Sequence, residues 1–365
     1  LLRQFVNRVG HRRGTDLGIP PTGGPADAPA TAVVACSRGF NANHPNAATS
    51  IRLGYCNGFD DIGIGYQLTP TTQLERAIES LESPIIFLSC YDFPELSKRA
   101  RRLLKNTPHL IWVNPWFDDM EEFCSRRDLH DFGLPSDVYK DVLDSDANFL
   151  WAPCPPSAVE FFQLWISSGQ RVEPLPLACD TRTYFFDSKE TAFADVKLAF
   201  VGGYRPYKNV QYEKYLKPYE DELVVYGYNE WPYQGYRGQL PSGSERALYQ
   251  NALLSPALSE PHAEYTGDIV ERVFKILGCR GLAITDVNPF YKELFSEDEL
   301  LVPASVAEYH ELMRTCLTDL EFNQRYRDAG YKAVHDRHTY AHRAWRILSL
   351  LEMDNLLGAS PSTTA

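Results

Sequence analysis

Short apolar runs of strand length, separated by amphipathic stretches, recur along this chain from Thr31 onward, and that alternation constrains the fold more than any single motif. The first series reads TAVVAC (31–36), IGIGYQL (62–68), PIIFLSC (84–90), HLIWVN (109–114) and NFLWAP (148–153). Helical segments lie between them: one from about Ala47 to Cys56, then QLERAIESL (73–81) and PELSKRARRLLKN (94–106). After a Pro-bearing crossover at 172–186 a second series follows: KLAFVGG (197–203), ELVVYGY (222–228), LLSPALS (253–259), GLAITD (281–286) and LLVPA (300–304). Strands this apolar are buried on both faces, and helices that alternate with them imply parallel sheets covered on both sides. The expected class is α/β, with two doubly wound domains in tandem facing across a cleft.

Length agrees, because 365 residues exceed what one ordinary core organises. The expected boundaries are a basic tail and Pro/Gly-rich linker at 1–30, domains at 31–180 and 181–338, a helix at 339–357 packing back across them, and an unordered tail at 358–365. Ser305 with Glu308 reads as a capping box, and Asp319 and Thr339 read as caps for the last two helices. The final helix carries Trp345, Leu348, Leu351 and Met353 on one side, so it should dock. Arg3, Arg8, Arg12 and Arg13 near the start suit the end of a preceding domain in a larger polypeptide, a peripheral membrane contact, or a frayed tail.

A net charge of -12 provides no basic footprint for nucleic acid. A small phosphorylated ligand needs only a few local cations. The eight cysteines are spread singly, with no CxxC pair and no His/Cys group at metal spacing, which suits a reducing, cytoplasmic setting. No dinucleotide fingerprint, phosphate-binding Walker motif, GxSxG or HExxH is present, so dehydrogenase, nucleotidase, serine hydrolase and zinc protease readings lose their main support.

Three segments carry candidate chemistry. In KLAFVGGYRPYKN, Gly203 ends a two-glycine turn followed by Arg205 and Lys208, cations able to neutralise a diphosphate at a strand's carboxyl end. In SEPHAEYTGDIVERVFKILG, a helix opening at Gly267–Asp268 would present free N–H groups to an anion. Asp268, Glu271, Arg272 and Lys275 share one stripe of that helix, either gripping a phosphorylated ligand or forming a solvated face with two i,i+4 ion pairs. His262 and Glu264 precede it. In SRGFNANHPN, Asn41, Asn43 and His44 either face the cleft or serve loop hydrogen bonding, with Asn46 capping the next helix. Asp92, Asp118 and Asp119 also follow strands, and each is a candidate general base.

Together these segments resemble the GT-B glycosyltransferases, in the branch related to the spore-maturation (CgeB-like) proteins. FVGGYRPYKN, VVYGYNEWPYQGYRGQL, ALYQNALLSPALSEPHAEY, DIVERVFKILGCRGLAITD and AGYKAVHDRHTYAHR carry the likeness, in order, over roughly Lys197 to Arg343. It implies Rossmann-like domains: an N-terminal one for a glycan or glycoconjugate acceptor and a C-terminal one for a nucleoside-diphosphate-sugar co-substrate. No further cofactor and no essential metal are implied. Arg205 and Lys208 would hold the diphosphate, the 268–275 helix the ribose and phosphates, and Tyr226, Gln239 and Leu240 the base. Many retaining relatives carry two glutamates where this chain has Gly267 and Lys275, which leaves Glu271 to supply a ribose contact. The implied activity is transfer of a hexose or deoxyhexose, with His262, Glu264, His44 or Asp92 managing the acceptor proton. Rival readings are an epimerase or hydrolase of nucleotide sugars, and a non-catalytic binding module.

Overall fold

The computed structural model describes residues 22–25, 27–36, 46–115, 136–261, 263–357 and 361. Seven strands form the first sheet: β1 (Thr22–Gly23), β2 (Thr31–Cys36), β3 (Gly65–Pro70), β4 (Pro84–Ser89), β5 (His109–Trp112), β6 (Phe149–Ala152) and β7 (Val172–Pro174). Their order is β1-β3-β2-β4-β5-β6-β7, parallel throughout except where β1 meets β3. β1 lies within the tail and Pro/Gly-rich linker expected at 1–30 and gives it a strand. Thr22 and Gly23 pair with Gln67 and Tyr66 and cover what would otherwise be an open sheet edge.

The second half builds a smaller sheet of the same design. β8 (Leu198–Val201) pairs with β9 (Leu223–Tyr226), and β10 (Ser255–Ala257) pairs with β11 (Ala283–Thr285), both in parallel. A bridge from Leu198 to Leu254 joins the two pairs, with the Ala199 N–H donating to the Leu254 carbonyl at 3.1 Å. LLVPA adds only a bridge from Leu301 to Ile284, since Pro303 has no N–H to extend the ladder. The order β9-β8-β10-β11 repeats the β3-β2-β4-β5 order of the first sheet. Each sheet therefore has one switch point, between β2 and β4 and between β8 and β10, and ligands bind at the carboxyl ends of such points.

Helix boundaries follow local chemistry. Asn46 accepts from the Thr49 N–H at 2.9 Å and starts a helix that runs Ala47–Asp61, beyond the expected Cys56. The single helix expected over 94–106 is two pieces. A 3-10 segment, Cys90–Glu95, is held by a box between Ser89 and Asp92, and Ser97 caps a separate helix Lys98–Leu104. Ser305, Asp319 and Thr339 cap the helices Val306–Thr318, Leu320–Arg337 and Tyr340–Leu350. The Glu308 carboxylate reaches the Ala304 N–H at 2.7 Å, one residue short of a full box with Ser305.

Tyr340–Leu350 lies against Ala47–Asp61, and two glycines permit the approach. A Cβ on Gly54 would meet the Tyr340 ring at 2.2 Å, and one on Gly58 would meet the Tyr340 backbone at 2.5 Å. The docked face is Tyr340, Ala344, Ile347 and Leu348; of the stripe expected from sequence, Leu348 and Leu351 are in the core and Met353 packs against it, and Trp345 departs. Positions 340, 344, 347 and 348 share one side of an α-helix, whereas Trp345 is turned off it and is half-buried. Through this packing a single core runs from Val34 and Tyr55 to Phe274 and Ile276.

A cleft with one charged wall

A cavity of about 640 Å³ opens between the two halves, at the carboxyl ends of β4 to β6 on one side and of β8 and β9 on the other. On the C-terminal wall the chain leaves β8 through Gly202 and Gly203. A Cβ on Gly202 would lie 3.1 Å from Arg272 Nη2, and one on Gly227 would lie 2.2 Å from the Gly202 carbonyl oxygen. Glycine at both positions thus lets two strand ends and an arginine converge. The Arg272 guanidinium sits 4.7 Å from the Phe200 ring centre and donates to the Leu258 carbonyl at 3.3 Å. Lys208, after β8, forms an ion pair with Glu260, after β10, so the pair bridges the switch point.

Deeper in this wall the Glu271 carboxylate accepts from Ser50 Oγ at 2.7 Å and from the Tyr340 hydroxyl at 2.8 Å, and lies 2.9 Å from Lys275 Nζ. Glu245 accepts from Tyr184 at 2.6 Å and from Tyr249 at 2.8 Å. Burial disfavours the Lys275 charge, yet Glu271 and Glu245 outweigh it and raise its pKa above the ordinary lysine value. Burial likewise works against Glu245, but Lys275 and the two phenol hydrogen bonds hold its carboxyl below the usual range. Lys275 thus stands as one cation between two carboxylates, with Arg272 as a further cation acting on Glu245.

The N-terminal wall is different in kind. Tyr91, directly after β4, is 48% exposed, and its hydroxyl accepts from Asn114 Nδ2 at 2.6 Å. Trp112, Pro153, Phe162 and Leu177 continue the surface. Among the described residues, every charged side chain lining the cavity comes from the other half: Lys208, Arg272 and Lys275 against Glu245, Glu260, Asp268 and Glu271.

Of the residues singled out in the sequence, Gly203, Lys208, Gln239, Leu240, Asp268, Glu271, Arg272 and Lys275 line this cavity. Several assignments change. The helix expected from Asp268 is Glu271–Gly278, because Gly267 takes φ +60°, Asn288 Nδ2 binds the Asp268 carbonyl at 3.0 Å and the Val270 N–H binds Tyr291 at 2.9 Å. The helix N-terminus therefore stands at Val270–Glu271, not at Gly267–Asp268. Glu271 and Lys275 form the expected i,i+4 pair, but at 5% and 9% exposed they are buried and not a solvated face. The Glu271 oxygens already accept from Ser50, Tyr340 and Lys275, so a ribose hydroxyl would have to share the Oε1 that Tyr340 uses.

Arg205 is exposed and outside the cavity lining, since it takes an extended conformation as the N-cap of the turn Pro206–Lys208. Tyr226 packs against Phe193, ring centres 6.4 Å apart, behind the lining. Asp92 is fully buried, paired with Arg52 at 3.2 Å and accepting from the Ser89 N–H at 2.7 Å. Burial raises its pKa against the pull of Arg52, but it touches no cleft and serves as a cap rather than a base. Asn41, Asn43, His44, Asp118, Asp119 and His262 lie outside the described residues, as does the side chain of Glu264. Sequence reasoning missed Tyr91, Glu245 and Glu260. The Ser89-x-x-Asp92 spacing was a capping signal that pointed away from Asp92 and towards its neighbour Tyr91 as the group left facing outward.

Two Rossmann-like domains whose switch points face each other across one cleft define the GT-B fold, and this chain has that fold. Residues 208–349 match the family described as Glycosyl transferase-like. Sucrose-phosphate synthase from Thermosynechococcus elongatus superposes with a TM-score of 0.60 at 10% identity, over 88% of this chain and 98% of its own. An α-glucosyltransferase in complex with UDP-glucose and DNA containing an abasic site gives 0.58 at 11% identity, over 88% and 99%. T4 phage BGT in complex with its UDP-glucose substrate gives 0.51 at 7% identity, over 90% and 99%. No curated protein matches the chain in sequence. Among the described residues, no group of three or more His, Cys, Asp or Glu side chains is arranged to hold a metal, and no helix is long and apolar enough to cross a membrane.

Proposed function

We propose that this protein is a glycosyltransferase that moves a sugar from a nucleoside diphosphate donor onto a glycan or glycoconjugate acceptor. The observation that carries the reading is the division of the cleft. Its charged groups cluster on the C-terminal wall around the Gly202–Gly203 turn, where the backbone can come close to a diphosphate, and the described residues of the opposite wall are uncharged. Uridine is the donor nucleotide to test first, because two of the similar structures hold UDP-glucose. Gln239 and Leu240 would contact the base. The transferred sugar would be a hexose or deoxyhexose, and the nearest branch the CgeB-like one.

In the reaction the acceptor oxygen bonds to the anomeric carbon while the bond from that carbon to the diphosphate oxygen breaks. The acceptor proton passes to His262 or Glu264, and the charge growing on the diphosphate is met by Arg272 and by Lys208 released from Glu260. These cations do the work of a divalent ion, so transfer should persist in chelator. Lys275 serves the site indirectly, as the counter-charge shared by Glu271 and Glu245. Incubation with UDP-, GDP- and dTDP-sugars tests the reading: donor consumption that rises when a glycan acceptor is added supports it. Absence of donor binding and consumption overturns it, and consumption indifferent to acceptor makes the protein a hydrolase or epimerase.

A further inference from the structure

We infer that the N-terminal wall binds its acceptor as an uncharged pyranoside stacked on the face of Tyr91, so that the acceptor sugar carries no phosphate. The inference rests on the glycosyltransferase reading and names the substrate class of the opposite wall. Tyr91 follows β4 directly and so stands at the switch point of the first sheet, where ligands of such sheets bind. It is 48% exposed, whereas the neighbouring Phe93 is 1% exposed. The 2.6 Å bond from Asn114 holds the ring in place, so little ordering remains to be done when a ligand arrives.

An aromatic face beside neutral amides matches a pyranose, which has an apolar face of C–H groups and a rim of hydroxyls. Asn46 and Asn114 supply amides to the cavity, and among the described residues no cation of this half lines it. Arg52, beneath Trp112, is spent on Asp92 and on the carbonyls of Ala35 and Ala48. A phosphate held against the described residues of this wall would lose its water without gaining a counter-charge.

Saturation-transfer NMR with methyl β-D-glucopyranoside, methyl β-D-galactopyranoside and glucose 6-phosphate, each with saturating UDP, tests this on the full chain. The expected result is saturation of the ring C–H protons of at least one methyl pyranoside and weaker binding of the phosphate. Tyr91→Ala should weaken pyranoside binding about fivefold, within the range of an aromatic contact, while Tyr91→Phe keeps most of it. Tighter binding of glucose 6-phosphate, no signal from either pyranoside, or indifference to Tyr91→Ala with an unchanged melting temperature would each overturn the inference. Failure of UDP itself to bind counts against the glycosyltransferase reading, and the pyranoside arms still decide this one.

Discussion

Ser50 Oγ donates to the Glu271 carboxylate over 2.7 Å, and this bond ties the first helix of the N-terminal half to the helix beneath the charged wall. Tyr340, from the last long helix, takes the other carboxylate oxygen, and Lys275 supplies the counter-charge. One buried carboxylate thus joins three elements that are remote in sequence. Glu271→Gln removes one of the two carboxylates that Lys275 is buried against; because Glu245 remains, the cost in denaturant unfolding should be that of a charged hydrogen bond, about 1.5–3 kcal/mol. Ser50→Ala removes one charge-assisted bond and should cost about 1.5–3 kcal/mol. Because both changes act on the same group, the double variant should lose less than the sum.

Helix contact at Gly58 makes a second prediction. Gly58→Ala brings a methyl against the Tyr340 backbone, which cannot rotate aside as a side chain would. The Tyr340–Leu350 helix must shift, at a cost of about 1–3 kcal/mol typical of overpacking, seen as a lower melting temperature.

His338 sets an acid limit. Its Nε2 faces the Leu294 carbonyl at 2.9 Å and its Nδ1 faces Arg343 Nη2 at 3.1 Å, so the neutral ring donates through Nε2 and accepts through Nδ1. Burial, and then Arg343, push its pKa from 6.5 down to about 3. The unfolded chain therefore binds a proton that the folded one refuses between these values. The stabilisation is complete above about 6.5 and is lost as pH falls towards 3, by up to about 1.4 kcal/mol per pH unit. His338→Gln should show a shallower fall of unfolding free energy over this window, whatever its stability at neutral pH. An unchanged slope would place the acid sensitivity elsewhere.

The fold was legible because burial imposes a pattern. β2, whose last five residues are buried, coincides with TAVVAC, and the strands β4 to β6 fall within the runs that announced them. The site was less so. Helical periodicity put Asp268 and Glu271 on one helix, but Gly267 and the side chains of Asn288 and Tyr291 decide where that helix starts, and they act through tertiary contacts. Charge type alone could not separate Arg205, exposed beyond a turn, from Arg272, laid over Phe200 in the cavity wall. Nor could it show that Lys275 faces two carboxylates, since Glu245 lies a full crossover away in sequence.

Calorimetric titration of UDP into wild type, Arg272→Ala and Arg205→Ala addresses the central claim that the C-terminal wall, centred on Arg272, holds a nucleoside diphosphate. Binding should be weakened at least about tenfold by Arg272→Ala, the loss of a charge-assisted contact, and should stay within about twofold of wild type in Arg205→Ala. The account is contradicted if neither UDP nor GDP nor dTDP binds wild type, or if Arg205 rather than Arg272 proves to be the residue on which binding depends.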